Sequence, residues 1–332
     1  MDPVRIFTPD ERIDDLRQRG LIIGDLQIAR NAIEAIGQHR LKQYWTALFD
    51  KSVIIDGHHF FSPGATFEEV LDLYYMDREL RGLLILPLEL IEINLRSSVA
   101  TVFENRGLAF SLYEDDFLRS VTHTARGLGE PTTVLAWQPI HKKVLKQRES
   151  YKFLKSFENH AYPELARLDE EEQLHFLENT VKYPISLIVE TISFSDLSKL
   201  LENIQQSELK SEILKRFESW DKGALIPFIK RITNLRNAVA HHGRVWNKPL
   251  VWPGPMPKFY RDYIPANTNL SGYQGTSIFE VLSLLLDLTP KLLQGQTGWN
   301  DQVLDFVYSQ DRKTLQRMGF PGNWHEYRYW QR

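Results

Sequence analysis

Apolar residues recur at three- and four-residue intervals through Asp10 to Arg19, Asp25 to Leu48 and Phe67 to Arg106. That period is one face of an α-helix, so each stretch predicts a helix. Ser62-Pro63-Gly64 reads as a turn, and Thr66 followed by Glu68 and Glu69 has the chemistry of a helix start. Pro87 predicts a kink or a restart in the third helix, because it has no N–H to donate and its ring crowds the preceding turn. Beyond it, Leu88, Ile91, Leu95, Val99 and Val102 form one apolar stripe. Glu89, Glu92 and Arg96 fall on another face, and Glu92 and Arg96 stand four apart, at pairing distance.

Further along, Trp137 to Tyr162 carries a helical, basic pattern from His141 to Lys152, and the acids Asp169 to Glu172 mark another helix start. Pro184 to Leu201 predicts a buried helix followed by a second one capped by Ser195. Glu208 to Trp220 is amphipathic. Pro227 suits the first turn of a helix running to His242, with Phe228, Ile232, Leu235 and Val239 as its core face and Gly243 as its stop. Ser277 to Leu293 is an apolar helix, and one more short helix precedes an aromatic end. Gly127 to Pro131 reads as loop, and Pro249 to Gly275, with five prolines, as an ordered loop. No repeat, low-complexity segment or linker interrupts the pattern. The fold class expected is all-α, in one domain over residues 1–332 with a loop-rich helical insertion at about 107–183.

Composition narrows the class. Aromatic residues make up 12% of the 332, which excludes disorder as the main state. The chain has no cysteine, so disulfide scaffolds, thiolate zinc sites and Cys nucleophiles are all excluded. Lys and Arg number 40 against 43 Asp and Glu, a net charge of −3, which argues against a coating protein for DNA held by bulk positive charge. A nucleic-acid enzyme with a local basic site remains open. The first twenty residues are charged throughout, with no apolar core of an export signal, and the most apolar run, Leu83 to Leu95, falls short of the ~20 residues that span a bilayer. The expected address is cytoplasmic, with no membrane partner.

The densest chemistry lies between Asn234 and Asn247. Arg236 and Asn237 sit mid-helix, His241 and His242 follow, and Arg244 and Asn247 come next. Asn237 and His241 are four apart and share a helical face, so Asn237 can orient the imidazole. Arg236 and His241 are about 140° apart around an ideal helix, so they face alike only if the helix ends or distorts near Gly243 or the long arginine reaches round.

Arg236-x4-His241, with Asn237 after the arginine, resembles the Arg-x(4–6)-His motif of the HEPN superfamily of ribonucleases. The wider string from Arg236 to Asn247 resembles a signature of the Abi-like abortive-infection family of bacteria. Tyr74 to Arg81 with Leu88 to Ser97, Glu190 to Leu200, and Met318 to Trp324 resemble three further motifs of that family, in the same order. The resemblance runs from about Leu16 onward. Ser195 departs from it, standing where glycine is usual. So does Gln38-His39-Arg40-Leu41, where the family tends to be tyrosine-rich. Both departures are read as bearing on local packing, not on the chemistry.

The resemblance implies a HEPN-like helical bundle, with core helices at about 67–106 and 184–293, and a metal-independent endoribonuclease acting in phage defence as a growth-arresting toxin. RNA supplies its own nucleophile, the 2′-OH, so the protein must move protons and stabilise the phosphorane charge. On that implication His241 transfers the proton, Arg236 holds the transition-state charge and Asn237 positions the histidine or the phosphate. His242, Arg244, Asn247, Glu92, Arg96 and Arg78 support the site or touch RNA. No cofactor and no metal are expected. One Arg-His motif holds few groups for an acid–base cycle, which implies a homodimer with a composite site. A small antitoxin-like RNA is a further partner the resemblance suggests. A catalytically silent HEPN module that binds RNA or scaffolds a defence complex is the alternative.

Blander readings stand beside these. Arg236 and His241 also fit a salt-bridged helix end with a satisfied histidine. Arg244 also fits a partner for Glu92 or Glu190, and Glu89, Glu92 and Arg96 a buried ion network. His58 and His59 are adjacent, lack a third ligand at motif spacing, and read as surface or packing residues. The basic run reads as a solvated helix face, and the tail Trp324 to Arg332 as docking on its own core.

Overall fold

Several helix starts along the chain are set by side chains that accept the otherwise unpaired first N–H groups. The computed structural model describes residues 7–114, 117–118, 121–123, 132–134, 137–217, 222–248, 277–293 and 298–331. The loops expected at 127–131 and 249–275 lie outside them. Among the described residues the structure is all-α apart from two two-stranded antiparallel pairs. It divides into two compact units, Met1–Ile85 with Asn237–Lys248, and Leu86–Arg236 with Pro249–Arg332.

The first unit begins with α1, Pro9–Gln18, whose Thr8 and Glu11 form a reciprocal capping box. Helix α2, Leu26–Ile36, is capped by Asp25, and α3 is Gln38–Trp45. The single helix expected from Asp25 to Leu48 is therefore two. Gly37, at φ 92°, ends one and opens the other. Hydrophobic spacing cannot reveal this break, because Ile33, Leu41 and Tyr44 keep helical intervals across it and are all buried. Strands β1, Phe49–Ile55, and β2, His58–Phe61, pair antiparallel. His58 and His59 are exposed on β2, and His59 stacks on Phe49.

Helix α4, Phe67–Asn105, starts where Thr66 Oγ1 accepts the Glu69 N–H at 3.1 Å. Pro87 lies inside it and neither restarts nor ends it. Packing on both flanks outweighs the lost hydrogen bond. Leu80 and Leu84 in the first unit, and Leu88, Ile91, Leu95 and Val99 in the second, are each at most 1% exposed.

In the second unit β3, Val121–His123, pairs with β4, Thr132–Val134. Helices α5 (Gln138–Gln147), α6 (Lys152–Ala161) and α7 (Glu170–Asn179) follow, the last with an Asp169–Glu172 capping box. Next come α8 (Ile185–Thr191), α9 (Phe194–Asn203) and α10 (Ser207–Ile213). The cap of α9 is Ser193, two residues before the expected Ser195, because Ser193 Oγ accepts the Asp196 N–H at 3.2 Å. Helix α11, Lys222–Ala240, starts five residues before the expected Pro227, which sits inside it. Helix α12, Ile278–Leu292, is buried all round from Ile278 to Thr289 and forms the centre of this unit. Helices α13 (Trp299–Tyr308) and α14 (Arg312–Arg317) lead to an aromatic end that docks on the core. Trp330 there is fully buried, stacks on Phe279 and donates from Nε1 to Ser283 Oγ at 2.8 Å.

His141 corrects the reading of the basic run as a solvated face. It is 3% exposed, bonded to Tyr113 Oη at 3.1 Å and to the Leu177 carbonyl at 2.9 Å. Burial holds its pKa below the usual 6.5, so the folded chain keeps it neutral. The unfolded chain then takes up this proton first, and the His141 contribution is full above about pH 6.5 and lost as pH falls below it. The urea midpoint of the protein should fall on acidification through this range, and in His141→Gln that fall should be shallower.

Candidate active site

Helix α11 carries Arg236 and Asn237, and its end is built by the histidines that follow. The His241 N–H donates to the Asn237 carbonyl at 3.0 Å. The next two donors turn back: His242 N–H reaches Val239 O at 3.0 Å and Gly243 N–H reaches Ala238 O at 2.7 Å. This pair of bonds is the Schellman arrangement, whose second residue past the helix takes a left-handed backbone. That residue is His242, at φ 55°, and not the glycine expected to stop the helix. Gly243 suits its place for a different reason: a Cβ there would lie 3.2 Å from the Ala238 carbonyl oxygen, a tight approach that the backbone would have to relieve.

Three ties within the first unit fix the turn. Arg40 Nη1, on α3, donates to the His242 carbonyl at 3.1 Å. Arg244 Nη1 donates to the Gln43 carbonyl. Asp77, on α4, accepts the backbone N–H groups of Val245 and Trp246 at 3.1 and 2.6 Å on Oδ1. Asp77 has no exposed surface. Its Oδ2 also accepts from Tyr44 Oη at 2.6 Å and from Arg81. Burial pushes the Asp77 carboxyl upward, while Tyr44, the two N–H groups and Arg81 pull it back. Burial and the adjacent carboxylate push the Tyr44 phenol upward too. Asp77, Arg81 and Tyr44 were missed as site-building residues. The signal was present in Asp77 and Arg81, four apart on one helix.

An open cavity of about 550 Å³ in the first unit is bordered by the turn and α3. Phe7, Ile33 and Ile36 give it an apolar side. His39, Arg40, Gln43, His241 and His242 give it a polar one, and no carboxylate lines it among the described residues. His39, His241 and His242 are all exposed. The Gln38–Leu41 stretch, expected to affect packing alone, thus shares a cavity with His241.

The remaining candidates separate. In the second unit, Glu92 is an ion-pair hub. Its Oε2 meets Arg236 Nε at 2.9 Å, and its Oε1 meets Arg96 Nε at 3.2 Å. Arg96 also donates to the carbonyls of Val189 and of Ile192, the latter at 2.9 Å, placing a cation at the C-terminal end of α8. Glu89 is exposed and outside this network. Arg78 is exposed on α4 and makes no hydrogen bond or ion pair among the described residues. Asn247 is exposed, with φ 51°. Among the described residues no group of three or more His, Cys, Asp or Glu is placed to hold a metal ion, and no helix is long and apolar enough to cross a membrane.

Fold and site together define an all-α protein with a histidine- and arginine-lined cavity beside the end of a long helix. A family model for Abi-like proteins matches residues 31–247, which include that cavity's α3 side and the whole Arg236–Asn247 string. The chain belongs to the Abi-like protein family, whose context is abortive infection in phage defence. The segment Met318–Trp324, which also resembles the family, lies beyond the matched residues. No curated protein and no solved structure matches the chain.

Removing the Asp77 carboxylate leaves Arg81 and two backbone donors buried without their acceptor. Asp77→Ala should lower unfolding stability by about 3–5 kcal/mol, read from urea denaturation. Relieving the left-handed strain should do the reverse: His242→Gly should raise unfolding stability in the same experiment by roughly 1 kcal/mol.

Proposed function

We propose that this Abi-like protein is a metal-independent endoribonuclease of the HEPN type. The observation that carries the reading is the placement of His241: at the end of the motif helix, exposed, on a cavity lined by two more histidines and an arginine. Such a surface suits a phosphodiester, which brings negative charge and needs proton transfer. His241 moves a proton between its imidazole and the RNA. Arg236 stabilises charge on the phosphorane, its Nε held by Glu92 and its terminal nitrogens making no other bond among the described residues. Arg96 steadies Glu92, and Asn237 holds the backbone of His241. Arg244 acts through the turn it ties down. The substrate is RNA, and a homodimer and a small restraining RNA belong to the same proposal.

The pairing of Arg236 with Glu92 also favours a second reading, a silent module that binds RNA, since the motif arginine is engaged by a carboxylate.

The test is end-labelled RNA with the protein in EDTA. Wild type should cleave and leave 2′,3′-cyclic phosphate ends, and His241→Ala should lower the rate by about 10²–10⁴-fold. Binding without cleavage by either protein would favour the silent module. Cleavage abolished by EDTA would overturn the metal-free mechanism.

A further inference from the structure

The cavity of the first unit holds more proton-transfer chemistry than the Arg236–His241 motif uses. Its titratable lining groups are His39, His241 and His242, and Arg40 is its permanent cation. His39 lies just past the break at Gly37, near the start of α3, whereas His241 and His242 come from the turn after α11. Imidazoles from two separate elements thus border one cavity, large enough at about 550 Å³ for a nucleotide-sized group.

Cleavage through the 2′-OH needs two proton transfers on different oxygens. One group takes the proton from the 2′-oxygen, and another gives a proton to the departing 5′-oxygen. An arginine stays charged and cannot serve as the base. His242 is a poor second partner for His241, because it is the next residue in a tight turn and its backbone is fixed at φ 55°. His39 comes from a different element and borders the same space.

We propose that His39 is the second proton-transfer group of this cavity and Arg40 a contact for the phosphate, so that one chain supplies both the acid and the base. The proposal rests on the ribonuclease reading. The 2′-O–H bond breaks, its proton passes to one neutral imidazole, and the 2′-oxygen bonds to phosphorus. The P–O5′ bond breaks, and the 5′-oxygen takes a proton from the other, protonated imidazole. The products are a 2′,3′-cyclic phosphate and a 5′-hydroxyl, with no co-reactant.

The test is proton NMR of the imidazole C2–H resonances in the full-length protein, assigned with His39→Gln, His241→Gln and His242→Gln, during titration with adenosine 3′-monophosphate. The His39 and His241 resonances should both shift, and Arg40→Ala should weaken binding about tenfold. Cleavage by wild type should follow a bell-shaped pH profile, and His39→Gln and His241→Gln should each lose a different limb. A shift of His241 alone, with His39→Gln keeping both limbs, would overturn the His39 assignment and leave the ribonuclease reading standing. Shifts of both resonances in a protein that cleaves no RNA would overturn the proton-transfer role together with that reading.

Discussion

A carboxylate with no exposed surface must be surrounded by donors, and Asp77 is the point from which the first unit is organised. It gathers a phenol from α3, a guanidinium one turn along its own helix, and two backbone N–H groups from the segment after the histidines. The last two matter most for the site. Without an acceptor at Asp77, the backbone N–H groups of Val245 and Trp246 would lose this partner, and the turn bearing His241 and His242 would lose one of the three ties that fix it. The geometry of the histidines thus depends in part on a carboxyl buried on a different helix.

Glu92 has the corresponding part in the second unit. It is nearly buried, and it divides its two oxygens between Arg96 and Arg236. Arg96 in turn spends its terminal donor on the last carbonyls of α8. The motif arginine is therefore oriented by a network whose other end is a helix terminus, and its position depends on the packing of α8 as much as on α11. Buried ion networks of this kind contribute little net stability, but breaking one partner is costly because the other charges remain.

Much of this was legible in the chain. The 3.6-residue stripe through Leu88, Ile91, Leu95 and Val99 placed α4, and the four-residue spacing of Glu92 and Arg96 gave their pair. The family resemblance gave the string from Arg236 to Asn247. What escaped were features made by residues distant in sequence. His39 and Arg40 are some two hundred positions from His241, and no local pattern joins them. The break at Gly37 was hidden because apolar spacing survives a change of helix. The left-handed residue was assigned to Gly243 by residue preference, whereas the hydrogen bonds to Val239 and Ala238 set it at His242. Propensity names the residue best suited to a conformation, and the tertiary ties decide which residue has to adopt it.

The turn after α11 also has a fixed length. Gly243 is pinned to Ala238 at one end, and only Arg244 separates it from Val245, the first residue pinned to Asp77. One residue more or fewer between these anchors would put the Asp77 acceptor out of register with the backbone it holds. The stretch from Ala238 to Trp246 behaves as a ruler: an insertion or deletion of a single residue would displace both histidines at once.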